Sequence, residues 1–184
     1  MNKVSKKWFV LAVATVMTGS AFAAENESSA VTPNLDRGTR VLEGAGNIDF
    51  MADEIRIQAA YGEIFDDGFE YAVVAGLRDN DESMSTELGV RAEYNLDSDS
   101  ALVPFLSAGV VWANAESEDN DVDTDAAVFS VGGGVKYFIR DDIALTLDGS
   151  YRVASDDIFV DNDEEGEVQD DEFRLLLSVR SYFD

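Results

Sequence analysis

A chain of 184 residues that carries 13 basic and 38 acidic side chains has a formal net charge of −25, with no cysteine and no histidine. Such acidity excludes nucleic acid as a partner, because phosphate binding needs a basic footprint. The missing cysteines exclude a disulfide framework and a thiolate metal site.

The chain opens with Lys3, Lys6 and Lys7, an apolar run from Trp8 to Met17, and then Ala21-Phe22-Ala23 ahead of a polar stretch. This is the three-part layout of a secretory signal peptide, with Ala21 and Ala23 at the small-residue positions, so residues 1–23 are expected to be cleaved off. The apolar run is too short to cross a hydrocarbon core of roughly 30 Å. No Cys follows the cut, which excludes a bacterial lipid anchor. Cleavage removes three Lys and no acid, taking the net charge from −25 to −28. The remaining length suits one domain. Residues 24–37 read as a disordered periplasmic lead, and 38–184 as the folded domain.

From there a two-residue period takes over. Side chains alternate across the pleat of an extended strand, and eight segments show that alternation, near 39–50, 54–64, 69–78, 86–96, 102–115, 126–139, 143–153 and 172–183. In the second, Ile55, Ile57, Ala59 and Tyr61 face away from Glu54, Arg56 and Gln58. The third sets Phe69, Tyr71, Val73, Ala75 and Leu77 against Glu70 and Arg78. In the fourth, Leu88, Val90, Ala92 and Tyr94 oppose Glu87, Arg91, Glu93 and Asn95. The fifth is apolar on both faces and leaves Val111 and Trp112 unassigned, and the first is equally unclear. In the seventh, Ile143, Leu145, Leu147, Tyr151 and Val153 oppose Thr146, Asp148, Ser150 and Arg152. The last strand puts Leu175, Leu177, Val179 and Phe183 on one side and Arg174, Ser178, Arg180 and Tyr182 on the other.

Most of the basic residues after the signal lie on the polar parity. We therefore expect a lumen ion-pair network in which Arg56, Arg91, Lys136, Arg152, Arg174 and Arg180 pair with Glu54, Glu87, Glu93, Asp148 and Glu172. The connections alternate in kind. Asp66-Asp67-Gly68, 97–100 and 140–142 are tight, whereas 79–83, 116–125 and 154–171 are longer and together hold 18 acids and no base. Short turns on one side, long loops on the other and an apolar outer band are the pattern of an outer-membrane barrel. Tyr61, Phe69, Tyr94, Tyr137 and Phe183 would form the aromatic girdle toward the turns, and Phe50, Phe129 and Phe173 the one toward the loops.

Residues 132–152 (GGGVKYFIRDDIALTLDGSYR) resemble the penultimate hairpin of the OmpA-like and OmpX-like family, the small eight-stranded outer-membrane β-barrels of Gram-negative bacteria. The resemblance covers nearly all of 38–184 and implies an all-β, eight-stranded antiparallel up-and-down transmembrane barrel in the outer membrane. It implies contact with outer-membrane lipid and lipopolysaccharide, delivery by periplasmic chaperones to the outer-membrane assembly machinery, and a monomer with no peptidoglycan-binding module. Phe183, Val179, Leu177 and Leu175 look like the family's terminal assembly signal, although Asp184 follows where the aromatic usually ends the chain. Barrels of this kind that are enzymes use a histidine as general base, and this chain has none, so no catalytic residue is expected.

Two other motifs compete for a role. Gly132-Gly133-Gly134 could suggest a phosphate loop, but no helix follows, and glycines inside a barrel strand more often ease curvature or close approach. Asp161, Asp163, Glu165, Glu167 and Glu172 match the spacing of a calcium loop of the EF-hand kind, with strands in place of helices on either side. A solvated acidic loop produces the same pattern. No other cofactor is expected. Three functions follow: a non-enzymatic barrel serving envelope integrity or surface contact through its acidic loops, a narrow ion or small-solute channel, or a soluble secreted barrel that binds an apolar ligand.

Overall fold

Alternating apolar and polar residues can bury neither face alone, and closure of the sheet on itself satisfies both, leaving no unpaired edge. The computed structural model describes residues 31–49, 54–66, 68–80, 83–117, 123–160 and 168–184. Its strands are β1 (Arg40–Asp49), β2 (Glu54–Asp66), β3 (Phe69–Asn80), β4 (Ser83–Asn95), β5 (Leu102–Ser117), β6 (Asp123–Arg140), β7 (Ile143–Ala154), β8 (Phe159–Val160), β9 (Val168–Gln169) and β10 (Asp171–Phe183). All but β8 and β9 form one closed antiparallel barrel in the order β1-β10-β7-β6-β5-β4-β3-β2. The ring closes where Arg40 meets Phe183 and Ala45 meets Ser178. No described helix is long and apolar enough to cross a membrane, and the strands do the crossing.

The outer face is the apolar one. Leu88, Val131, Leu147 and Leu177 are each at least half exposed, while Thr146, Ser178, Lys136 and Arg180 are buried inside. Trp112 faces out and Val111 packs inward, which settles the strand that is apolar on both faces. Toward the turns, Phe65, Phe69, Tyr71 and Tyr94 form a continuous aromatic group, with the Phe69 and Tyr94 rings 4.6 Å apart. Toward the loops Phe129, Tyr151 and Phe173 are exposed on the outer face. Phe50 lies outside the described residues.

Glycine is required at several places, among them the β2–β3 turn and the middle of β6. Gly68 turns β2 into β3 at φ +75°, where a Cβ would stand 2.7 Å from the Asn95 carbonyl oxygen. At Gly132, Gly133 and Gly134 a Cβ would fall within 2.0 to 2.6 Å of backbone oxygens of neighbouring strands, so this run serves close approach of backbones.

One expectation is corrected. The lead is not disordered throughout: from Val31 on it is docked, with Val31 and Leu35 packed on an apolar cluster and the Asn34 amide donating to the Asp141 carbonyl at 2.8 Å. Its apolar residues find a mouth of the barrel lined by Val41, Ile64, Val103, Phe138, Ala144 and Tyr182. The longest loop is also partly built, for β8 and β9 pair across Phe159 and Gln169, and Phe159 is buried.

Candidate functional site

The lumen is filled in layers. At the turn end the apolar cluster around Phe138 and Tyr182, whose rings lie 5.3 Å apart, closes the interior together with Val31 and Leu35. At the loop end Phe159 and Ile158 pack with Ala113, Ala126, Val128 and Ala154. Between these two caps lie the charges.

The register creates a problem that the charges solve. Glu70 and Glu93 stand directly opposite each other on β3 and β4, an unfavourable arrangement for like charges. Lys136 reaches across from β6 and donates to Glu70 at 2.8 Å while lying 3.0 Å from Glu93. Arg180 of β10 grips Glu93 through both terminal nitrogens, at 2.6 and 2.8 Å, and reaches Glu70 at 3.3 Å. Its Nε lies 2.9 Å from Glu43, its register partner on β1. Arg91 donates to Glu43 and brings its Nε to 2.8 Å from Glu93. The Nε atoms of Arg91 and Arg180 lack the alignment of a hydrogen bond, so these two approaches are Coulombic contacts. Three cations thus meet three carboxylates. The Phe105 ring lies under the group, 5.1 Å from Lys Nζ and 5.2 Å from the Arg180 guanidinium carbon.

A second group lies nearer the loops. Arg152 donates to Glu172 at 2.6 Å and to Glu87 at 2.7 Å, and its guanidinium carbon lies 5.3 Å over the Phe159 ring. Arg56 approaches Glu172 at 3.6 Å. Ion pairs this deep hold only while every partner is present, because removing one leaves an uncompensated buried charge.

The structure brings together Arg56, Arg91, Lys136, Arg152, Arg180, Glu87, Glu93 and Glu172 of the residues singled out in the sequence. Glu43 and Glu70 join them as central acceptors that the expected network lacks. The sequence signal for Glu43 is faint, since its strand offers only Leu42, Gly44 and Gly46 as the outer stripe. Asp148 and Arg174 face the lumen and attract each other through space, without an ion-pair contact to a described residue. The register sets Arg152 across from Glu172, whereas Arg174 faces Ser150 and Asp148 faces Leu176. The short aspartate side chain does not span the gap that the glutamates cross. The Glu54 side chain lies outside the described residues.

Glu172 spends its carboxylate on Arg152 and Arg56 inside the barrel. Asp161, Asp163, Glu165 and Glu167, the other positions of the calcium spacing, lie outside the described residues, as do Ala21 and Ala23. The terminal stripe of Leu175, Leu177, Val179 and Phe183 lies on the outer face, with Phe183 38% exposed.

An apolar outer band around a closed eight-stranded sheet with a charge-paired interior defines an integral outer-membrane barrel. The chain belongs to the family described as outer membrane protein beta-barrel domain, which matches residues 9–180. Among solved structures it is similar to the N-terminal barrel domain of Pseudomonas aeruginosa OprF, with 16% identity, a TM-score of 0.61, and coverage of 80% of this chain and 98% of that one. It is also similar to Neisserial surface protein A (NspA), with 18% identity, a TM-score of 0.54, and coverage of 79% and 95%. No curated protein sequence matches it. The family places the chain in the outer membrane of a Gram-negative bacterium.

Proposed function

We propose that the chain is a non-enzymatic, monomeric outer-membrane barrel that supports envelope integrity or surface contact through its acidic loops. The filled lumen carries this reading: apolar caps at both ends and a charge-paired middle leave no room for a diffusing solute or a substrate. The absence of histidine removes the usual general base near neutral pH. Function then falls to what the barrel displays. The acids that the sequence places in the connections 79–83, 116–125 and 154–171, which join strand ends at one rim, would repel anionic ligands and attract the divalent cations that bridge lipopolysaccharide. The likeness to a protein named as a neisserial surface protein supports a surface role.

The test is deletion of the gene in its native host, followed by complementation with the wild type or with a chain in which Asp156, Asp157, Asp161 and Asp163 are changed to Asn. Loss of the protein should increase sensitivity to detergent and to EDTA. The neutralised chain should assemble normally yet restore resistance poorly. A deletion strain unchanged in both barrier strength and surface binding would remove this reading.

A further inference from the structure

The barrel closes unevenly. At the β1–β10 seam the antiparallel ladder is six residues long, from Arg40 opposite Phe183 to Ala45 opposite Ser178, whereas the other seven interfaces of the ring run for ten to fifteen. Among the described residues, Gly46–Asp49 continue along β2 alone and Asp171–Leu177 along β7 alone. The seam is thus zipped at the turn end and unzipped toward the loops, where the facing backbone groups of both edges lack a strand partner, a costly arrangement within an apolar band. Its inward-facing register pairs shrink in the same direction: Val41 with Tyr182, then Glu43 with Arg180 at 2.9 Å, then Ala45 with Ser178.

The strong end of this seam lies under the docked lead. Val31 and Leu35 pack on the cluster that contains both Val41 and Tyr182, one from each seam strand. Backbone hydrogen bonds fix the lead on either side. The Gly38 amide donates to the Ile64 carbonyl of β2 at 2.7 Å and the Ile64 amide to the Thr39 carbonyl at 2.9 Å, while the Asn34 amide donates to the Asp141 carbonyl in the β6–β7 turn. The same turn holds β10, since the Tyr182 amide donates to the Asp142 carbonyl at 2.8 Å. The buried Thr39 hydroxyl donates to the Asn34 side-chain oxygen at 3.1 Å and ties the two anchor points together. In the ring, β2 and β7 flank β1 and β10, so the lead crosses the seam and is fastened beyond each of its strands. A cap over the mouth would need no such fastening. We propose that residues 31–39 are a clasp that governs lateral opening of the barrel: seated, they hold the short ladder shut; released, they let β1 and β10 part along their full length and open the lumen sideways to lipid.

The mature protein and its Val31→Ser/Leu35→Ser variant are reconstituted in lipid nanodiscs, and amide hydrogen exchange is followed residue by residue by NMR. Exchange reports local opening. In the variant, the seam amides of 41–45 and 178–182 should exchange faster by about tenfold or more, while those of 91–95, at the same end of the β4–β5 wall, should keep their wild-type rates. Leu42 and Ser181 face each other across the seam, so a disulfide formed by Leu42→Cys with Ser181→Cys should restore protection to the variant, and reducing it should remove that protection again. Unchanged seam exchange in the variant would overturn the proposal. So would equal acceleration of both walls, which would make the lead a general cap, or a seam that stays unprotected once the disulfide has formed. If the double variant fails to fold, the single Leu35→Ala carries the test by the same comparison of the two walls.

Discussion

Arg180 and Arg140 are both arginines within 3.3 Å of a carboxylate, yet their settings give them opposite weight. Arg180 is buried among Glu43, Glu70 and Glu93, whereas Arg140 and Asp142 form an exposed pair in a turn, 3.1 Å apart. Removing one partner of a buried pair costs about 3 to 5 kcal/mol, and an exposed pair contributes about 0 to 1 kcal/mol. Arg180→Gln should therefore shift the urea midpoint of unfolding from lipid vesicles strongly downward, and Arg140→Gln should leave it nearly unchanged. Similar shifts for the two would mean that the interior is wetter than its burial implies. At this scale the sequence discloses which residues point inward but not which of them touch. Parity places Arg174 and Asp148 in the lumen correctly. Only the register reveals that Arg152 takes Glu172 and that Glu43 and Glu70 complete the other group. Pairing across the lumen joins residues far apart in the chain, such as Lys136 and Glu70, and no local pattern encodes it.

Each barrel strand is legible because lipid requires an apolar residue at every second position, so the eight alternating segments and the observed strands agree to within a few residues at their ends. Hydrogen bonding carries β6 from the expected 126–139 to Asp123–Arg140, since pairing continues where lipid contact stops. The short hairpin of β8 and β9 is hidden by its acidic surroundings, with Ile158-Phe159-Val160 and Val168 its apolar traces. The two faces of β10 give a direct test. Leu177 lies near the middle of the strand on the outer face, and Arg at such a midplane site costs roughly 2 to 4 kcal/mol. Leu177→Arg should impair folding into bilayers, while Leu177→Phe should be accepted by lipid. The neighbouring Leu176 is only 4% exposed, so Leu176→Phe should overpack the lumen, at a cost of about 1 to 3 kcal/mol. If Leu176 tolerated the larger ring and Leu177 did not, the faces would be exchanged. The same strand carries the assembly stripe. Phe183→Ala should reduce the heat-modifiable, membrane-inserted fraction, and deletion of Asp184 should not. Equal insertion of Phe183→Ala and wild type would show that recognition does not depend on this aromatic.

The whole molecule is closed three times over: by the docked lead and the Phe138–Tyr182 cluster at the turn end, by the paired charges in the middle, and by Phe159 at the loop end. An eight-stranded barrel is just wide enough for its side chains to fill, and here the filling consists of groups whose separation costs several kcal/mol. Purified protein in planar bilayers should accordingly show little or no steady conductance. Phe159→Ala should not change this, because the charge layer beneath remains intact. Arg152→Gln should release Glu87 and Glu172 together, lower stability and raise leakage, most clearly when Phe159 is also replaced. The order of these effects separates a plug from a gate: if the outer cap alone governed current, the charged layer would be already permeable. Stable cation-selective steps from the wild type at moderate voltage would defeat the closed reading. The acidic loops would then form the mouth of a cation pathway, and the protein would be the narrow channel.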